Sequence, residues 1–246
     1  MKRALWIGAA AVLAFAVILV VRMPASWAAG FLPDGVTCIQ LNGTVWRGRC
    51  TGLTVEGRSA GDLGWQLRPT QLLRGKIAAR LDLSHPQGFV RADVEADSSR
   101  NVLAENLKAQ LPLDPSLIPH LPPGIGGSLQ LDLPMLRVEQ GIITAIQGRI
   151  ETRDLQQSRN PPVPLGDYSL MFPPTPPGTE PVGQLQSLRG PLTVSGTLRL
   201  TRAPGVAIEG TVAARADTPE PLRRQLEYLG TPDSQGRRPF SLDFSF

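Results

Sequence analysis

Alternation of apolar and polar residues with period two runs through most of this chain, while the 3.6-residue periodicity of an amphipathic helix is scarce. Val36 to Leu41, Thr44 to Trp46 and Cys50 to Val55 read as short strands around a turn at Asn42-Gly43, a dipeptide favoured in two-residue hairpins. Three hairpin-like units follow. In the first, Ile77, Ala79, Leu81 and Leu83 share a face, Gln87-Gly88 marks the turn, and Val90, Ala92, Val94 and Ala96 return along it. The second runs from Leu129, Leu131 and Leu133 to Ile142 through Ile150. The third runs through Leu192, Val194, Leu198 and Leu200, turns at Pro204-Gly205 and returns through Val206, Ile208 and Val212. Opposite faces carry Arg80, Asp82, Arg91, Asp93, Gln130, Asp132, Arg199, Glu209 and Arg215, the one-face-wet pattern of antiparallel sheet. The units do not align residue by residue, so they are recurring architecture and not a repeat.

Prolines punctuate this pattern. Leu111 to Gly127 holds five and Asn160 to Pro181 holds eight, with a short strand predicted inside the latter from Asp167 to Phe172. At that density proline favours stiff extended surface connections, and polyproline recognition by a partner is the functional alternative. Helix is predicted in two places, Arg100 to Gln110 and Pro221 to Tyr228. The second opens with Thr218-Pro219-Glu220-Pro221 and closes on Gly230, which are helix start and stop signals. The closing alternation Phe240-Ser241-Leu242-Asp243-Phe244-Ser245-Phe246 resembles the end of an outer-membrane barrel. An aromatic content of 5% leaves no material for lipid-facing girdles. A last strand of a soluble sheet is therefore the expectation.

The amino terminus is different. After Met1-Lys2-Arg3, the run Ala4 to Val21 is uncharged. As helix it would span about 27 Å, enough for one bilayer crossing. Lys2 and Arg3 in front, with no acidic residue before Asp34, place the N-terminus in the cytoplasm and the bulk outside it. Ser26-Trp27-Ala28 would also satisfy a signal-peptide cleavage site, but the apolar run exceeds the length usual for one. The formal charge is +4, and Lys2, Arg3 and Arg22 account for three of it. The balance left for residues 23–246 implies neither nucleic acid nor an acidic partner. The expected organisation is mainly β. A cytoplasmic tip and single transmembrane helix over 1–22 and a linker over 23–35 precede an antiparallel periplasmic β domain over 36–246, built of successive hairpins with one or two short helices.

Trp46 and Trp65 sit in Gly- and Leu-rich settings and are expected to build the first core layer; a Trp platform for a ligand is the alternative. Cys38 and Cys50 are the only cysteines and flank the predicted hairpin. In an oxidising compartment they would form a structural disulfide, and otherwise serve as two small buried hydrophobes. Catalytic constellations do not emerge. His85 and His120 have no carboxylate or Cys at metal-ligand spacing. There is no G-x-S-x-G elbow, and Gly124-Ile125-Gly126-Gly127 lacks the third glycine of a dinucleotide fingerprint. Asp93, Glu95, Asp132 and Glu209 lie on wet faces. No catalytic, cofactor-binding or metal-binding residue is assigned.

The stretch Gly43-Thr44-Val45-Trp46-Arg47-Gly48, then Leu63-Gly64-Trp65-Gln66-Leu67-Arg68-Pro69 and Leu72-Leu73-Arg74-Gly75, behind an apolar anchor, resembles the type II secretion system protein N family. Gly127-Ser128-Leu129-Gln130-Leu131, Gly148-Arg149-Ile150, Leu165-Gly166-Asp167-Tyr168 and Leu222 to Gly230 are similar to it too. The resemblance implies a single-pass inner-membrane protein with a periplasmic domain, a non-catalytic accessory of the machine that exports folded proteins across the outer membrane. Its partners would be other components of that machine. The alternative is an anchored β-module that binds or transfers lipid or another hydrophobe.

Overall fold

The computed structural model describes residues 18–31, 34–114, 124–159, 161–202 and 205–245, together with Trp6, Val12, Ala14 and Phe15. The chain divides into two compact units, Met1–His85 and Pro86–Phe246. Every strand pairing within them is antiparallel and joins sequence neighbours.

In the first unit a 3-10 helix, Ala25–Phe31, precedes strands β1 (Val36–Gly43), β2 (Arg47–Val55) and β3 (Arg58–Leu67), a single helical turn Pro69–Leu72, and β4 (Lys76–His85). Strands β2 and β3 are joined by Glu56 and Gly57, both at positive φ (51° and 78°). Two such residues make the turn whose twist matches the flanking strands. The first hairpin differs from its expected form. β1 continues through Asn42 and Gly43, and Thr44 to Trp46 form the turn instead of a strand. Thr44 closes it: its N–H donates to Arg47 O at 2.9 Å, and its hydroxyl accepts from Arg47 N–H at 3.1 Å. A Thr hydroxyl that captures the backbone three residues on outcompetes the Asn-Gly signal.

The second unit runs β5 (Gly88–Asp97), β6 (Asn101–Pro112), β7 (Ile125–Glu139), β8 (Ile142–Gln157), β9 (Val163–Phe172), β10 (Val182–Arg189), β11 (Leu192–Thr201), β12 (Gly205–Ala214), the helix Glu220–Glu227 and β13 (Arg238–Ser245). Each arm of the three predicted hairpin-like units is a strand, and the helix stands where its start and stop signals put it. The Pro204 turn lies outside the described residues. Leu222 is buried beneath the helix, and the Thr218 hydroxyl ties its entry to Pro191 O at 2.6 Å.

Arg100 to Gln110 is not a helix. It forms β6, paired on both flanks with β5 and β7. The residues are good helix formers, but two neighbouring ladders override propensity. Asn106, at φ 53°, also slips the alternation by one, so Ala104 and Leu107 end up three apart in the manner of a helix face. Pro134 of β7 faces that same irregularity, the setting in which a sheet tolerates proline. β9 begins at Val163, four residues before the predicted strand, and its Pro164 lies beyond the stretch that β10 covers.

The core of this unit is the cluster Leu133, Ile146 and Phe172, each 3–4% exposed, with Leu107, Leu136, Ile150, Leu170 and Leu198 packed against it. It draws on β6, β7, β8, β9 and β11, so one apolar sheet face supplies it.

Most of the predicted anchor, Ala4 to Val21, lies outside the described residues. Its described members Trp6, Val12, Ala14, Phe15 and residues 18–21 are helical and exposed. Among the described residues no helix is long and apolar enough to cross a membrane.

Candidate functional site

The first unit contains an apolar hollow of about 260 Å³ on one face of its sheet. Strand alternation builds it. Leu63, Trp65 and Leu67 stand on one side of β3, and β4 presents Leu83, Leu81 and Ala79 opposite them in register. All but Leu83 line the hollow, and Cys50 and Leu53 of β2, Leu41 and Cys38 of β1, and Val45 of the turn complete it.

A regular β1–β2 ladder could not supply those last walls. Cys38 pairs with Leu53 and Cys50 with Leu41, so Cys38 and Cys50 would point to opposite faces about 10 Å apart along the strands. Gly52 changes this. At φ 68° it inserts a bulge, and the β2–β3 register shifts between Cys50 and Leu53. Both then turn inward and are buried. The Gly52 N–H donates to the Asp62 carboxylate at 2.9 Å, which fixes the bulge. In this geometry the two sulfurs are joined, with Cα atoms 5.8 Å apart, inside the span a disulfide accepts.

Trp65 and Trp46 have different surroundings. Trp65 lines the hollow, donates its indole N–H to Val45 O at 2.9 Å and lies against Gly48. Trp46 belongs to the turn and donates to Val20 O at 2.7 Å. Both are half-buried. The hollow's other walls, Leu41, Val45, Leu63, Leu67, Ala79 and Leu81, were not singled out together by the sequence, although alternation in Leu63-Gly64-Trp65-Gln66-Leu67 marks three of them as one face.

The second unit holds a larger, mixed cavity of about 880 Å³ between Arg137, Glu139 and Ile143 and the proline-rich segment around Pro176 and Glu180. Thr175 of that segment donates its hydroxyl to Ile146 O at 3.1 Å. Other polar groups of this unit are structural. Asp167 accepts the Asp154 N–H at 2.7 Å and Arg189 Nε at 3.0 Å, and Arg189 also reaches Asp154 at 3.0 Å. Burial pushes the Tyr168 phenol above its ordinary pKa, and its hydroxyl donates to Leu165 O at 2.7 Å. Asp233, held by the Arg237 N–H first and then by the Gln235 N–H and the Arg237 guanidinium, is lowered. Asp93, Asp132 and Glu209 stand apart on β5, β7 and β12. His85 ends β4 and His120 lies outside the described residues. Among the described residues no three His, Cys, Asp or Glu could hold a metal ion.

Comparison with known proteins gives one consistent answer. The family model for the type II secretion system (T2SS), protein N, matches residues 34–241. The Type II secretion system protein N of Vibrio cholerae serotype O1 is 26% identical over 268 residues, covering 98% of each chain. The protein of the same name from Aeromonas hydrophila is 27% identical over 252 residues, covering 97% of each. No solved structure matches. The chain therefore belongs to the type II secretion system protein N family and is a component of that system.

Proposed function

We propose that this chain is a non-catalytic component of the type II secretion system that holds other components in place. A single N-terminal helix anchors it in the inner membrane, and its β units stand in the periplasm. Family membership supports the assignment to the system. The observation that carries the mode of action is the sheet edge. Strand β13 pairs with β12 alone among the described residues, which leaves a flank of main-chain N–H and C=O groups for an incoming strand. Such pairing needs no special side chains, in keeping with polar residues spread along strands instead of converging on one point. Ser241 and Asp243 of β13 are exposed at this edge.

Two measurements test the reading. Photo-reactive side chains at Ser241 and Asp243 should cross-link the chain to another secretion component in cells; capture of none would remove the edge as the contact. Deletion of the gene should leave folded exoproteins in the periplasm while their passage through the inner membrane stays normal. Unimpaired secretion with altered outer-membrane permeability would select the lipid-handling alternative.

A further inference from the structure

The hollow of the first unit is unusual for the interior of a folded domain. Cys50 and Leu53 among its walls are buried, but the rest, Cys38 and the Leu, Val, Ala and Trp side chains, are left half-buried. Its volume of about 260 Å³ falls just under the range of ligand pockets, roughly 300–1,000 Å³. That suits a stretch of one slender apolar chain.

The chemistry at its rim says where such a chain comes from. Val45 lines the hollow, and its N–H donates to Met23 O at 2.9 Å. The next residue, Trp46, donates its indole N–H to Val20 O at 2.7 Å, and Pro24 bridges to Thr44. The rim is thus pinned to the last turn of the apolar N-terminal segment, where Ile18, Leu19, Val20 and Val21 are all more than half exposed. Arg22, which precedes Met23, is exposed. Its positive charge suits the phosphate of a lipid at the membrane surface. Trp27, exposed in the following 3-10 helix, is an aromatic of the kind that settles at the membrane–water interface.

We infer that the hollow takes part of a single acyl chain of a phospholipid from the membrane that holds the N-terminal segment, with Arg22 available to its head group. The inference rests on the anchoring reading above. It gives the first unit a lipid-facing role separate from the protein-holding edge of the second.

The test uses the full chain, reconstituted in phosphatidylethanolamine–phosphatidylglycerol vesicles. These contain a tracer phosphatidylglycerol with a diazirine near the end of one acyl chain. After flotation and photolysis, labelled residues are mapped by mass spectrometry. Label is expected on Leu53, Leu63 and Leu81. The double substitution Leu63→Phe with Leu81→Phe fills the space and should cut that label roughly tenfold, while Leu73→Phe on an exposed helical turn leaves it unchanged. Melting temperatures establish that each variant is folded, and Ala79→Leu is a milder filler should the double variant fail to fold. A floating chain labelled only before Met23, or label indifferent to filling, overturns the inference. A chain that does not float overturns the anchoring reading instead. The soluble chain is then mixed with the same vesicles, and unlabelled Leu63 and Leu81 there again remove the site.

Discussion

Gly48 shows how tightly single positions are set. A Cβ added there would stand 2.3 Å from Trp65 Cζ2 and 2.9 Å from Asn42 O. The glycine is the seat on which the indole rests. Gly48→Ala should therefore lose roughly 1–3 kcal/mol through overpacking. Gly64→Ala, whose nearest neighbour would be Asp82 O at 3.6 Å, should be neutral or slightly stabilising; chemical denaturation of the two variants checks the contrast. In the second unit Phe172 is 3% exposed at the centre of the core. Phe172→Ala should cost about 3–5 kcal/mol, against less than about 0.5 for Leu73→Ala, which is 91% exposed. Asp233 supplies a pH dependence. Its folded pKa lies below the ordinary carboxylate value, so its contribution is present above that value and is lost as pH falls through the lower folded one. The loop it closes is fully exposed, so the effect is local. Exchange protection of the Gln235 and Arg237 amides should fall on acidification, and Asp233→Asn should abolish the dependence.

At the scale of elements, irregular residues decide the outcome. The Gly52 bulge turns Cys50 to the same face as Cys38, so bridge formation depends on the bulge and not on strand alternation alone. If the β units stand in the periplasm as proposed, we expect no free thiol, and a bridge closing this loop contributes roughly 3 kcal/mol if it leaves the fold unstrained. Intact-mass analysis after alkylation, without reduction, checks it, and two alkylated thiols would refute it. Gly52→Val, which cannot hold φ 68° without strain, should leave a large fraction of the chain unbridged. The same logic explains what could be read in the sequence. β4, β5, β7, β8, β11 and β12 were legible because each keeps its alternation for several residues. β6 was not, because Asn106 shifts its phase and its Leu, Ala, Glu and Lys residues favour helix. The Thr44 turn was displaced from Asn42-Gly43 by a side-chain hydrogen bond that no periodicity reveals. Trp65 and the cysteines were visible as residues, but the hollow they share is a product of pairing across three ladders.

For the whole molecule the open question is where its two units are held, and the N-terminal segment bears on it. Ala4 to Val21 is uncharged, Lys2 and Arg3 precede it, and the next acidic residue is Asp34. On the proposed anchoring, that asymmetry would keep the front of the chain in the cytoplasm. The described end of the segment is helical with outward apolar side chains, and exposed apolar surface of this kind is stable in lipid and costly in water. Backbone hydrogen bonds from Val45 and Trp46 side-chain contact with Val20 fasten the segment's exit to the first hairpin, so cleavage after Ala28 would remove groups that the fold uses. Alkaline phosphatase fused after Phe246 should be active and should sediment with membranes. A shortened, soluble periplasmic chain beginning near Ala29 would show that the segment is a signal peptide. Replacing Val12 and Leu13, at the centre of the run, with aspartate should release the phosphatase from the membrane fraction, at a cost of roughly 2–3 kcal/mol per charge placed in the bilayer.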